Sequence, residues 1–78
     1  MTPREPVPVE LSSTLLGRVI YDAHRSILQL EFRDGSVYRY LQVPKAFYQN
    51  LLSVASHGTY FNHRIRGRFP FLQIQPPC

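Results

Sequence analysis

The sequence contains a single cysteine, Cys78, which is its last residue. One cysteine excludes a disulfide within the chain, and the absence of a C-x-x-C pair excludes the common thiolate metal sites. A reducing compartment, the cytosol, is therefore expected. No apolar run approaches the roughly 18 residues of a membrane-spanning helix, and the first residues lack a run of signal-peptide length. We expect a soluble cytoplasmic protein with no membrane partner.

Acidic residues are missing from the second half of the chain. The nine lysines and arginines exceed the five aspartates and glutamates, which gives a net charge of +4. All five acids lie at or before Asp34, whereas five basic residues and no acid occur from Gly35 onward. A basic half of this kind favours an acidic partner such as nucleic acid. Many small domains are basic without such a partner, so charge alone leaves both interpretations open.

Groups that could catalyse a reaction are equally scarce. His24, His57 and His63 have no Cys, Asp or Glu at metal-ligand spacing. There is no glycine-rich phosphate loop, and Cys78 lies in a terminal segment that does not suit a positioned nucleophile. We therefore expect no catalytic residue, no metal and no cofactor. The interpretation is a binding module rather than an enzyme.

The residues that are present suffice for one small domain. Apolar residues make up 44% and aromatic residues 13% of the 78 residues, which is enough for a core of modest size. Prolines mark both ends of the chain. We predict a flexible proline-rich tail at residues 1–8, a single domain at 9–74 and a frayed end at 75–78.

Three segments have the composition of β-strands, namely 17–23, 27–33 and 36–41. Asp34-Gly35 between the last two is a strong hairpin signal. If these two residues alone form the turn, Phe32 faces Val37 and the two later tyrosines lie on the polar face of the sheet. The pattern predicts a three-stranded antiparallel meander in either case.

A three-residue loop with a glycine bulge at Gly35 gives the opposite result. Leu30 then faces Tyr38, and Arg39 meets Gln29 on the outer face. Tyr40 lies opposite Leu28 on the same side as Tyr38. A one-residue slip exchanges the two faces, and we prefer the bulged register because it separates polar from apolar side chains more cleanly.

Helical periodicity follows the strands. Val43-Pro44 is predicted to open a helix that runs to about Ala55 and buries Leu51, and Gly58 suits its end. A second helix, capped by Thr59, is predicted from about Tyr60 to Arg66.

Phe61 and Ile65 should face the core from this second helix. Pro70 blocks further helix, and a closing segment is predicted to pack against the core, where it can form a short strand. Its apolar residues are Phe69, Phe71, Leu72 and Ile74. The expected fold is α+β, with a three-stranded antiparallel meander followed by two short C-terminal helices packed on one face.

An ordered set of residues resembles the KTSC family, a domain found at the C-terminus of some lysyl-tRNA synthetases and as a stand-alone bacterial protein. The matching residues are Ser12-Ser13, Tyr21-Asp22, Leu28-x-Leu30-x-Phe32, Gly35, Tyr38-x-Tyr40, Val43-Pro44, Tyr48, Ser56-x-Gly58, Phe61-Asn62 and Ile65-Arg66. The resemblance implies RNA binding only as a suggestion. It does not imply aminoacylation, because the chain has no synthetase catalytic domain.

Basic and aromatic residues form the predicted nucleic-acid-binding set: Arg64, Arg68, His63, Tyr60, Lys45 and Arg39. Guanidinium groups suit phosphates because their fork offers paired donors. We expect Arg64 and Arg68 to contact a nucleic-acid backbone. The alternative is a solvated basic face, with the domain binding another protein through its sheet face or an exposed strand edge.

Residues that belong to the matching set have two possible roles. Tyr38 and Tyr40 either stack on unpaired bases or pack in the core. Ser56, with Gly58, Asn62 and Arg66, either grips an anion or caps the helices and fixes the turn. For Arg66 we favour bracing of the fold together with Asn62.

Overall fold

The structure, a computed structural model, describes residues 7–78. Most of the predicted proline-rich tail, residues 1–6, lies outside the described residues. Five antiparallel strands form one sheet in which each strand pairs with the next along the chain. The strands are β1 Val9–Glu10, β2 Leu16–Asp22, β3 Ile27–Phe32, β4 Val37–Tyr40 and β5 Phe71–Gln75.

The α+β class agrees with the sequence, but the predicted number of three strands is too small. The three central strands are those that the alternation predicts. β1 has only two residues, too few to show a period. β5 pairs with β4, although the whole helical segment separates the two strands in sequence. No local sequence pattern predicts a pairing between such distant segments.

The β3–β4 hairpin has the bulged register. Leu30 lies opposite Tyr38, and Gln29 lies opposite Arg39. Gly35 has a φ of +92°, a left-handed conformation that favours glycine, and its N–H donates to the carbonyl of Phe32 at 3.0 Å. The preferred register, with Tyr38 and Tyr40 on the Leu30 side, is confirmed.

Two short helices follow β4. α1 spans Lys45–Ser53, and α2 spans His57–Tyr60 and continues directly into a π-helical turn at Phe61–Ile65. α1 is two residues shorter than predicted, because Val54 has an extended ψ of 155°.

The predicted cap of the second helix is corrected by the structure. Ser56, not Thr59, caps α2, since its Oγ accepts a hydrogen bond from the Thr59 N–H at 3.3 Å. The helix therefore begins three residues earlier than predicted. Gly58 lies inside α2 rather than at the end of α1.

The helices cover one face of the sheet and enclose the core with it. Leu30 from β3 and Leu51 from α1 are fully buried, and Phe61 is 4% exposed. The other buried apolar residues are Leu11, Leu16, Val19, Tyr21, Leu28, Tyr40, Val43 and Ile65. Burial of each large apolar side chain contributes roughly 1.5–3 kcal/mol, so this cluster is the main source of stability.

The closing segment is an edge strand rather than a core element. Phe69 packs against Phe47 of α1, with ring centroids 5.1 Å apart. Beyond it, Phe71 and Leu72 in β5 remain 53% and 54% exposed. Phe69 thus packs against the core as expected, and the short strand forms, but Phe71 and Leu72 lie at the edge of the sheet, beyond the surface that the helices cover.

The C-terminal residues contact the β3–β4 hairpin. Gln75 is the last residue of β5, one residue beyond the predicted end of the domain, and its Nε2 donates to the Gly35 carbonyl at 3.1 Å. The Cys78 N–H donates to the Asp34 carbonyl at 2.9 Å. Fraying of residues 75–78 stays a prediction.

Candidate functional site

Two arginines of the first half of the chain, Arg18 and Arg33, make contacts within the sheet. Arg18 pairs with Glu10 at 3.2 Å and with Glu31 at 3.9 Å. Arg33 donates to the backbone carbonyl of Leu11 at 2.6 Å and also to that of Ser13. These arginines hold β1 and the segment after it against the central strands, so they have few donors left for a ligand.

We call residues 45–68, from α1 to just after the π turn, the helical layer. Its basic side chains are exposed and are not used in contacts within the sheet. Arg64 lies in the π turn, Arg66 and Arg68 follow it, and Lys45 is the first residue of α1. Within residues 7–78, none of these four forms an ion pair, since both ion pairs there are made by Arg18. Their charges are therefore free to meet an anion from solution.

A cavity of about 580 Å³ borders α2 and the π turn. We call it the helical groove, and its lining residues are Val54, Ser56, Thr59, Tyr60, His63 and Arg64. It brings together three residues of the predicted nucleic-acid-binding set, namely Tyr60, His63 and Arg64. Arg68 and Lys45 do not line it, and Arg39 lies on the uncovered sheet face, where its Nε donates to Gln29 Oε1 at 2.8 Å.

A second cavity, of about 380 Å³, lies between β4, β5, the hairpin and the π turn. We call it the aromatic cavity. It is lined by Leu15, Phe32, Asp34, Ser36, Tyr38, Tyr40, Phe61, Asn62, Arg66, Gly67 and Phe71. The Phe71 ring lies 5.5 Å from the rings of both Tyr38 and Tyr40, centroid to centroid. Pockets for organic ligands combine such apolar walls with a few polar groups.

The π turn positions the polar side of the aromatic cavity. The Arg66 N–H donates to the carbonyl of Phe61 at 2.9 Å, five residues back, which widens the turn. Phe61 and Ile65 are both buried, whereas Asn62 and Arg66, each one position later, are exposed at the cavity. Single π turns occur frequently at functional sites.

Tyr40 provides an unused hydroxyl in this cavity. The residue is 4% exposed, and burial raises the pKa of its phenol, with a further rise from Tyr38 and an opposing effect of Arg66. The hydroxyl makes no hydrogen bond within residues 7–78. Every fully buried side-chain oxygen in these residues has a hydrogen-bond partner, so the Tyr40 hydroxyl is not fully buried. It therefore reaches solvent through the cavity, close enough to Arg66 to feel its charge.

Asp34 lies at the hairpin end of the aromatic cavity. Its Oδ1 accepts hydrogen bonds from the Ser36 hydroxyl at 2.6 Å and from the Ser36 N–H at 2.9 Å. These bonds, the hydroxyl first, hold the pKa of the carboxyl below its ordinary value. The cavity thus has an anionic group near the hairpin and a cationic group, Arg66, at the π turn.

Two features are absent from the described part of the chain. Among residues 7–78, no three His, Cys, Asp or Glu side chains lie close enough to share a metal ion. The same residues contain no helix of the length and apolar character needed to cross a membrane.

Comparison with known proteins identifies the domain. The family model described as the KTSC domain matches residues 12–69. The chain belongs to the KTSC domain family. A crystal structure of a KTSC domain protein from Yersinia pestis has the same fold, with a TM-score of 0.86 at 31% identity. That match covers 90% of this chain and 99% of the Yersinia chain.

Two kinds of curated relative match this KTSC domain. A lysine–tRNA ligase of Nostoc punctiforme is 39% identical over 54 residues, which are 69% of this chain and 10% of the ligase. The chain thus spans about a tenth of the length of that ligase. An uncharacterized protein of Stutzerimonas stutzeri is 43% identical over 54 residues and is matched over 76% of its length.

The structure separates the residues that the KTSC resemblance singled out. Ser56 caps α2, which supports its structural role. Tyr40 is buried in the core, whereas Tyr38 is half-buried at the aromatic cavity. Asn62 and Arg66 form no side-chain hydrogen bond within residues 7–78, so the predicted bracing has no contact to carry it. Both line the aromatic cavity instead.

Phe71 and Asp34 line the aromatic cavity, but the sequence does not predict them as site residues. Phe71 was assigned to the core, although alternation along β5 places it opposite Tyr40, on the cavity side of the sheet. Asp34 was interpreted only as a turn residue. The alternation of residues 71–75 could indicate which residues share a face with Phe71. It places Phe71 beside Tyr40 only once the pairing of β5 with β4 is known.

Proposed function

We propose that this KTSC domain is a non-catalytic module that binds RNA in the cytoplasm through the basic side chains of its helical layer. The observation that carries the proposal is the set of exposed side chains Lys45, Arg64, Arg66 and Arg68, which have no acidic partner within residues 7–78. Unpaired arginines on one layer are the electrostatic footprint of a nucleic-acid-binding surface.

Arg64 and Arg68 are the proposed contacts to the RNA backbone. Their forked guanidinium groups offer paired donors to phosphate oxygens. Tyr60 and His63 border the same helical groove as Arg64 and can flank the backbone there. The matched relatives include proteins named lysine–tRNA ligase, and a relative named for a tRNA supports an RNA partner for this domain.

The experiment is a titration of a labelled single-stranded RNA with the protein at several salt concentrations. Phosphate contacts release counterions, so binding should weaken steeply as salt increases. Replacing Arg64 and Arg68 together with Gln should flatten the slope of log affinity against log salt by roughly 1.4–1.8, at about 0.7–0.9 for each lost phosphate contact. The thermal melting curve should stay nearly unchanged.

A matched control separates local contacts from total charge. Arg25 is an exposed arginine in the β2–β3 turn, far along the chain from the π turn. Arg25→Gln removes the same charge as Arg64→Gln but should leave affinity and salt slope close to those of the wild type. If both single variants weaken binding equally, the binding reflects net charge rather than the proposed surface.

A second candidate function is protein binding at the edge of the sheet. β5 is an edge strand, and it exposes the large apolar residues Phe71, Leu72 and Ile74. Exposed edges of this kind can accept a further strand from a partner. Such binding should depend little on salt. If the wild-type protein shows no salt-dependent binding to RNA at low ionic strength, the RNA proposal fails and this candidate replaces it.

A further inference from the structure

The aromatic cavity has features that backbone contacts at Arg64 and Arg68 do not use. Rings form its walls, and three of them, Phe32, Tyr38 and Phe71, are partly open to solvent. Its free polar groups are the Tyr40 hydroxyl, the Asn62 amide and the Arg66 guanidinium. A ligand that fits must combine a flat apolar part, hydrogen-bonding edges and an anionic group.

We propose that the aromatic cavity binds one unpaired nucleotide of the RNA, with its base against Tyr38 and Phe71 and its phosphate at Arg66. This inference rests on the proposed RNA-binding function and assigns it a site for a base. A nucleobase has a flat face on which an aromatic ring can stack whatever the base is. Its edges can accept or donate hydrogen bonds to the Asn62 amide and the Tyr40 hydroxyl.

Charge fixes the orientation of the nucleotide in the cavity. Asp34 lies in the hairpin before β4, and its carboxylate repels a phosphate at that end. Arg66 lies near Tyr40 at the other end of β4, where its guanidinium attracts one. The phosphate therefore binds at the π turn and the base points toward the hairpin.

The aromatic cavity and the helical groove share no lining residue, but a third cavity of about 520 Å³ borders both. It is lined by Ser56 and Thr59 of the groove and by Leu15 and Asn62 of the aromatic cavity. An RNA backbone that passes around the π turn can contact Arg64 in the groove and place a later nucleotide at Arg66. The groove then supplies affinity that does not depend on sequence, and the cavity holds one base.

Phe71→Ala tests the site, and Leu72→Ala is its matched control. The two residues are neighbours in β5 and are 53% and 54% exposed, but they lie opposite Tyr40 and Arg39, on different faces of the sheet. One lost stacking contact of ~1–3 kcal/mol should weaken binding of a short oligouridine by roughly 5- to 150-fold in Phe71→Ala. Leu72→Ala should change it less than twofold.

Salt and an abasic RNA sharpen the test. Phe71 carries no charge, so its loss should leave the salt slope unchanged, whereas Arg66→Gln should flatten the slope by about 0.7. An oligomer of the same length without bases should bind the wild type at least as weakly as oligouridine binds Phe71→Ala, because it also lacks the contacts to Tyr38, Asn62 and Tyr40. The Phe71→Ala protein should distinguish the two oligomers less than the wild type does.

The outcomes separate this inference from the proposed function. If Phe71→Ala and Leu72→Ala bind oligouridine equally while the Arg64 and Arg68 variant binds it weakly, the cavity holds no base and RNA binding stands. If the wild type binds abasic and intact oligomers equally, the inference is likewise overturned. If the wild type shows no salt-dependent RNA binding, both proposals fail.

Discussion

The arginines on the strands of this KTSC domain and those of its helical layer have opposite roles. In the first half, Arg18 bridges Glu10 and Glu31 across three strands, and Arg33 binds backbone carbonyls next to β1. In the second half, Arg64 and Arg68 are exposed and have no ion pair within residues 7–78. A basic residue therefore indicates a ligand site only where the fold has not already used its donors.

This difference follows from the distribution of acids along the chain. All acids lie at or before Asp34, so the antiparallel pairing of β1, β2 and β3 can place them next to basic residues. The helical layer contains no acid, and the side chains that it buries in the core, Leu51, Phe61 and Ile65, are apolar. Charge in the sheet contributes to strand pairing, whereas charge in the helical layer is available to a partner.

The two halves nevertheless depend on a single core, and the largest expected effect concerns it. Leu30→Ala in the sheet and Phe61→Ala in the π turn should each lower the free energy of unfolding by ~2–5 kcal/mol, because both side chains are buried and leave a cavity. Denaturant melts measure this loss. A loss below about 1 kcal/mol for either variant would mean that its half contributes little to the core.

The next effect separates structural from free arginines. Arg33→Gln removes two donors from the carbonyls of Leu11 and Ser13 and should cost about 1–2 kcal/mol of stability. Arg64→Gln removes no intramolecular bond and should change stability by less than about 0.5 kcal/mol. Paired thermal and denaturant melts compare the two. Equal losses would contradict the division between the halves.

The sequence predicted the parts of this fold that depend on local pattern. Alternation in β3 and the left-handed preference of Gly35 determined the hairpin register, and apolar spacing found Leu51, Phe61 and Ile65. It did not predict β1, because two residues show no period. It allowed a short strand in the closing segment but did not predict its pairing with β4, because the helical layer separates the two in sequence. The cap was misplaced because Ser56 and Thr59 are both good capping residues, and their order in the helix depends on tertiary packing.

The candidate site was only partly predictable for the same reason. Tyr60, His63 and Arg64 are close in sequence, so one turn of helix brings them together. The aromatic cavity joins residues of the hairpin, β4, the π turn and β5, and only the tertiary fold shows that Phe71 meets Tyr38.

A smaller effect is expected from the neutral cap in the second half. Ser56→Ala removes the acceptor for the Thr59 N–H. It also removes the hydroxyl that donates to Thr59 Oγ1 at 2.8 Å. The loss should be about 1 kcal/mol, as for other helix N-caps. Ser53→Ala is the control, since Ser53 is exposed at the last residue of α1 and caps no N-terminus. Similar melts for both variants would show that the cap contributes nothing.

The smallest effect is expected at Asp34 in the first half. Like Ser56, it accepts a hydrogen bond from a backbone N–H, but its acceptor is a charged carboxylate. Asp34 Oδ1 accepts from the Ser36 hydroxyl and N–H, which lowers the pKa of the carboxyl below its ordinary value of 3.8. A group with a lowered folded pKa contributes stability that is present above its unfolded pKa and is lost as the pH falls through the folded value. Acid should therefore remove the contribution of Asp34 but not that of Ser56.

Denaturant melts of wild type, Asp34→Asn and Ser56→Ala between pH 7 and pH 2 measure this directly. The stability difference between wild type and Asp34→Asn should be largest near neutral pH and should shrink below about pH 4. The other carboxyl groups titrate in both proteins and cancel in the difference. The difference between wild type and Ser56→Ala should be constant across the range, because a hydroxyl does not titrate there. A constant difference for Asp34→Asn would mean that its hydrogen bonds with Ser36 do not favour the charged form.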